Sequence, residues 1–145
     1  MANAQTIADI QALTARYVQA ADRRDVAMLL STLTADAEVI MPGSSIKGHE
    51  ALGGIPAILD SMFEQTQHKI FNQTLSINGD RAEGETYCTA SHLRLKEDGS
   101  REVEDWNIRY QDRFACIDSI WLFEQRELVV DWVEIRPVML FGEQF

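Results

Sequence analysis

Residues 104–136, EDWNIRYQDRFACIDSIWLFEQRELVVDWVEIR, decide how this chain folds. In the first half Trp106, Ile108, Tyr110, Asp112 and Phe114 alternate with Asn107, Arg109, Gln111 and Arg113. That period of two marks a half-buried strand. Asp118-Ser119 predicts a tight turn, although its hairpin chemistry is weaker than Asp-Gly. The return strand runs from Ile120 towards Ile135, and its alternation breaks at Leu128-Val129-Val130. A bulge there would bend the strand and re-aim its side chains. Two long, bent, antiparallel strands with three tryptophans near by predict the floor of a curved sheet. The rest of the chain has to cover its concave face.

Upstream, Ile7, Ile10, Leu13, Tyr17 and Ala20/Ala21 recur at three- and four-residue steps, the spacing of a helical apolar stripe. Val26, Leu29, Leu30 and Leu33 resume it after the charged break Asp22-Arg23-Arg24-Asp25. Two helices are expected, joined at Asp22 or Arg23, with Asp25 capping the second. Residues 35–41 read as a short strand, 42–45 as a turn and 49–65 as a helix disturbed by Gly53-Gly54 and Pro56. Residues 68–78 and 81–95 are strands around Asn78-Gly79, the strongest hairpin signal in the chain. Helices first and consecutive hairpins after predict an α+β fold, with helices on one face of an antiparallel sheet.

At 145 residues the chain is sized for one domain, 1–145. Its net charge is −10 and its pI about 4.6. Such a surface repels phosphate backbones and anionic lipid, so neither nucleic acid nor membrane is expected as a partner. No apolar run approaches the roughly 20 residues that span a bilayer. Cys88 and Cys116 fall in strand-like runs, spaced like neither a zinc site nor a redox pair, and read as free thiols. The N-terminus lacks the order of a signal peptide. Together these features predict a cytoplasmic protein.

One set of residues goes further: Arg16-Tyr17, Asp22-Arg23-Arg24-Asp25, Asp36-Ala37-Glu38, Gly48, His68, Asn78-Gly79-Asp80-Arg81-Ala82, Tyr87, Arg109-Tyr110-Gln111-Asp112-Arg113 and Trp121. This pattern resembles the SnoaL-like branch of the nuclear-transport-factor-two-like superfamily over nearly the whole chain. Its closest look is to scytalone dehydratase and bile-acid dehydratase-like proteins. The resemblance implies a cone-shaped α+β barrel, a curved antiparallel sheet wrapped around N-terminal helices and enclosing an apolar pocket. It also implies a cofactor-independent, dehydratase-like lyase (a hydro-lyase) acting on a small, cyclic, largely apolar molecule through an Asp–His dyad. The fold hosts other functions too. The alternatives are an isomerase or polyketide cyclase with the same dyad, or a non-catalytic binding or assembly module such as a ring-hydroxylating oxygenase small subunit. Assembly is expected as a homodimer or homotrimer through the outer face of the sheet.

Asp22 and His68 stand at the positions that match the dyad. Neutral imidazole would take a proton from carbon or give one to a leaving hydroxyl, with the carboxylate fixing its tautomer. By spacing alone Asp22 also reads as a helix terminator and His68 as a strand-edge histidine. Tyr17, five residues before Asp22, matches a tyrosine that reaches substrate in the bile-acid dehydratases, and otherwise is a core aromatic. A two-residue turn at Asn78-Gly79 would put His68, Ile70 and Asn72 on one face and His92 on the other. A three-residue turn would return His92 to the face of His68. Some dehydratases of this family carry a second pocket histidine on the strand after the Asn-Gly turn, so the resemblance implies His92 as a further substrate-binding candidate, with Asn72 on the face of His68 another. Arg109 reads as structural, paired with Glu83 or Glu85. No His/Cys metal constellation, phosphate loop or nucleophile elbow appears, so no metal or cofactor is expected.

Overall fold

The computed structural model describes residues 3–144. In chain order they form α1 (Ala4–Arg23), α2 (Val26–Leu30), β1 (Leu33–Met41), β2 (Ser44–Lys47), α3 (His49–Leu52), α4 (Ile55–Met62), β3 (Gln65–Asn78), β4 (Arg81–Leu95), β5 (Arg101–Ile117) and β6 (Ile120–Val138). Asn3 caps α1 through a bond to the Thr6 amide, and Asp25 caps α2 through the Met28 amide. Gly53 and Gly54 part α3 from α4, where the sequence suggested one irregular helix. β2 falls in a stretch read as a turn and its approach; four residues carry too little periodicity to show as a strand. No helix of the described residues is long and apolar enough to cross a membrane.

The fold is α+β: one curved sheet, ordered β2-β1-β6-β5-β4-β3, with the N-terminal helices on its concave face. Two expectations need correction. The sheet does not close into a barrel, because β2 and β3 remain its edges. Nor is it wholly antiparallel, because β1 pairs parallel with β6. The cause is the route of the chain. After β1–β2 it crosses through α3 and α4 to the far edge, and the meander then returns so that its last strand meets β1 from the same direction.

Asp118 and Ser119 make the β5–β6 turn with φ of 50° and 67°, the left-handed geometry that matches hairpin twist. At the β3–β4 turn Gly79 takes φ 62° between the paired Asn78 and Arg81. β6 carries two bulges. Glu124 is extra between the Arg113–Gln125 and Phe114–Phe123 pairs, and Asp131 between Asn107–Trp132 and Ile108–Val130. The second lies just past the predicted break, where Arg109 holds Asp131 with two bonds of 2.7 and 2.8 Å. Glu85 stands 3.8 Å from the same guanidinium.

These pairings arrange the concave face in rows across β3, β4, β5 and β6. One row is His68, Ala90, Trp106 and Val133; the next is Ile70, Cys88, Ile108 and Val130; beyond them lie Gln73, Thr86, Tyr110 and Leu128, then Leu75, Gly84, Asp112 and Arg126. A Cβ on Gly84 would sit 2.7 Å from Leu75 Cδ2 and 2.8 Å from the Thr74 carbonyl, so only glycine lets β3 and β4 approach this closely. Ile10, Leu13, Tyr17 and Val18 of α1 pack with Phe114, Phe123, Trp121 and Leu33 in the main core. Burying such side chains stabilises by about 1.5–3 kcal/mol each.

Candidate active site

Asp22 lies in the last turn of α1, and His68 is the fourth residue of β3. Asp22 Oδ1 is 2.6 Å from His68 Nδ1, and Asp22 Oδ2 accepts the His68 backbone N–H at 2.9 Å. Thr66 adds a third donor, its hydroxyl to Oδ1 at 2.9 Å. Nδ1 faces a carboxylate and so carries a proton, which leaves Nε2 as the nitrogen open to a ligand. Burial alone would push the Asp22 carboxyl up. The His68 hydrogen bonds and charge, with Thr66, outweigh it and hold the pKa below the ordinary carboxylate value.

His92 comes to the same face. Its ring centre is 6.1 Å from that of His68, 4.4 Å from Phe63 and 5.0 Å from Trp106. Its Nδ1 donates to the Glu104 carbonyl at 3.0 Å, so the neutral ring presents a lone pair on Nε2. Burial lowers its pKa, against the carbonyl bond, which favours the charged form. Neither turn length brings His92 here. The β3–β4 turn has two residues, and a bulge between Ile70 and Gln73 then flips the parity of β3. The same bulge undoes the argument for Asn72, which is exposed there and takes no part in the His68 row.

Tyr17 is buried deeper in the concave face. It packs edge-on to Phe123 and over the Arg126 guanidinium at 4.6 Å. Five residues of helix separate it from Asp22, about 7.5 Å along the axis and about 140° around it. Burial raises its pKa and keeps the phenol protonated, although Arg126 opposes. Arg126 itself was missed. It is fully buried, bonded to Asp112 through Nε at 2.8 Å and Nη2 at 3.0 Å, and roofed by Tyr110 at 3.7 Å. Its Nη1 has no partner among the described residues. Burial pushes the Asp112 carboxyl up, against the pull of Arg126.

Val133, in the row of Trp106, and Ile135, in the row of His92 and Glu104, are 46% and 59% exposed. Open clefts of about 480 Å³ lie elsewhere, one on the outer face between β3 and β6 and one at the β4–β5 turn, and neither is lined by Asp22 or His68. Beside the packed rows of the concave face, the exposed Val133 and Ile135 form an apolar ledge. No group of three or more metal-ligating side chains occurs among the described residues.

The profile of the SnoaL-like domain matches residues 2–127. The chain belongs to the SnoaL-like family. Among solved structures it is similar to hexachlorocyclohexane dehydrochlorinase LinA-type3 from Novosphingobium barchaimii, with TM-score 0.78, 19% identity, and 94% of this chain and 92% of that one covered. It is also similar to a Novosphingobium aromaticivorans protein provisionally named scytalone dehydratase, with TM-score 0.79, 21% identity and coverage of 94% and 93%. A protein of unknown function with a cystatin-like fold from Nostoc punctiforme matches at TM-score 0.75 and 28% identity, covering 89% and 93%. A search of the curated proteins finds no match. These likenesses agree with the fold in architecture, and the SnoaL-like family with the resemblance read from the sequence.

Proposed function

We propose that this chain is a cofactor-independent, dehydratase-like lyase that acts on a small, cyclic, largely apolar substrate through Asp22 and His68. The observation that carries this reading is the grip on Asp22. Three donors fix the carboxylate against Nδ1 of His68, and Nε2 is left without a protein partner among the described residues. That is the arrangement of a general base whose orienting anion is itself oriented. The dehydrochlorinase and dehydratase names among the structural neighbours point to the same class of reaction, elimination.

The chemistry runs as follows. A substrate lying on the Trp106–Val133 ledge presents a C–H bond to His68 Nε2. The proton moves to Nε2, the C–H electron pair forms the new C=C bond, and the C–O bond of the neighbouring carbon breaks. The imidazolium is stabilised by the Asp22 charge. It then returns the proton to the leaving oxygen, and water departs. His92 Nε2 accepts a hydrogen bond from a substrate hydroxyl, and the protonated Tyr17 with Arg126 forms the polar end of the floor. The test is turnover of cyclic β-hydroxy ketones, read as growth of the conjugated product's absorbance. Asp22→Asn and His68→Ala should each lose about 10²-fold or more, and the double variant little more, because the two act as a unit. Single variants with full turnover would make the pair structural. Proton exchange with solvent without loss of water would make the chain an isomerase.

A further inference from the structure

Behind the dyad lies a second layer of polar contacts. Thr66, 2% exposed, donates its hydroxyl proton to Asp22 Oδ1 and accepts a hydrogen bond from Arg24 Nη1 at 2.8 Å. A guanidinium can only donate, so the single Thr66 proton is committed to Asp22. Arg24 is unusual in its own right. It caps α1 with φ 56°, a conformation glycine adopts freely, and its backbone N–H reaches the Ala20 and Ala21 carbonyls. Nη1 bonds the Ala21 carbonyl as well, at 2.8 Å, and Asp60 of α4 lies 3.8 Å from Nε. Glycine would close the helix with less strain. Arginine closes it and also delivers a guanidinium to Thr66.

We infer that Arg24 and Thr66 are positioning residues: Arg24 sets the Thr66 rotor, and Thr66 pins the Asp22 carboxylate to the Nδ1 side of His68. This rests on the proposed dyad and concerns what holds it. The titratable and charged groups that bear on Asp22 are His68 on β3, Cys88 and, through His68, His92 on β4, Arg24 at the end of α1 and Asp60 on α4. None but Arg24 touches the Thr66 hydroxyl from behind.

The experiment uses the full chain with Thr66→Val, Thr66→Ser and Arg24→Gly. NMR follows the Asp22 carboxyl carbon through its titration and the two His68 ring nitrogens at neutral pH. Thr66→Val should move the Asp22 titration up by about one unit, the worth of one hydrogen bond to a charged group. It should also raise the share of His68 that carries its proton on Nε2. Thr66→Ser should restore both signals. Arg24→Gly relieves the left-handed strain, so Tm should hold or rise while both signals shift in the same direction as in Thr66→Val. A merely structural role would lower Tm and leave the signals in place. Parent-like signals in Thr66→Val, or in a folded Arg24→Gly, overturn the inference. Signals that shift as expected while Asp22→Asn keeps full turnover leave the positioning intact and sink the lyase reading instead.

Discussion

Arg126→Met should destabilise the protein in a way that low pH partly repairs. The reasoning starts from Asp112, which is 3% exposed, sits on the apolar row of β5 and depends on Arg126 for two of its bonds. Methionine can occupy the space among Tyr17, Tyr110 and Phe123. What it cannot do is neutralise Asp112. The carboxyl already has a raised pKa from burial, and without the guanidinium it will take up a proton. Holding a carboxyl neutral at pH 7, when the unfolded chain ionises near 3.9, costs about 4 kcal/mol. At pH 5 the same cost is about 1.5 kcal/mol. The sign follows from proton counts: the folded variant binds one proton more than the unfolded chain, so its stability falls as pH rises. Asp112→Leu should behave differently, because the buried Arg126 cannot discard its charge in this range, and about 3–5 kcal/mol should be lost at every pH. The double variant should come close to the parent or exceed it. Urea denaturation at pH 5, 6 and 7 reads all three. If Arg126→Met loses the same stability at pH 5 as at pH 7, Asp112 is not the origin of the cost and the reasoning fails.

Acid unfolding should depend on Asp22. Its folded pKa is lowered, so its contribution is present above the ordinary value near 3.9 and is lost as pH falls through the lower folded value. Asp22→Asn should therefore flatten the fall of Tm between about pH 4 and pH 2. Assembly is expected through the outer face, where Phe71, Tyr87 and Trp132 are 58%, 41% and 59% exposed around the Arg109–Asp131 pair. Sedimentation should show a homodimer or homotrimer at micromolar concentration that Trp132→Glu splits into monomers, and a parent that is already monomeric refutes it.

The main strands were legible because alternation is a strong signal over ten or more residues, as in β5. The turns at Asn78-Gly79 and Asp118-Ser119 were legible because few residues accept their backbone geometry. Bulges were not, since no composition marks them and each reverses every side chain beyond it. That is why the face of His92 stayed open until the bulge after Ile70 was seen. It is also why Arg126 went unnoticed. Counted from Trp121 and Phe123 without the Glu124 bulge, it falls on the outer face, among ordinary solvated arginines. One clue was available. Asp112 stands among Ile108, Tyr110 and Phe114, and a carboxylate in such a row requires a cation from somewhere.

The concave face also narrows which group can move a proton. Cys88 lies one row from His68, but burial pushes its thiol up to about 11, so it is not an anion near neutrality. Tyr17 and Tyr110 are buried phenols with raised pKa values, able to donate a hydrogen bond and unable to act as bases. Asp112 is committed to Arg126 by both its oxygens. His92 has a free lone pair, but burial outweighs the pull of the Glu104 carbonyl and carboxylate and disfavours its charged form, and its Nδ1 bond goes to a backbone carbonyl, not to a carboxylate. Among the described residues of this face, His68 combines an unpartnered nitrogen with an anion placed to stabilise the charge it would acquire. It also lies in the row that ends at the exposed Val133, from which the proposed substrate would approach. The reaction we propose needs a base that is stabilised once protonated, and among the described residues of this face His68 is the imidazole whose ring nitrogen is held by a carboxylate.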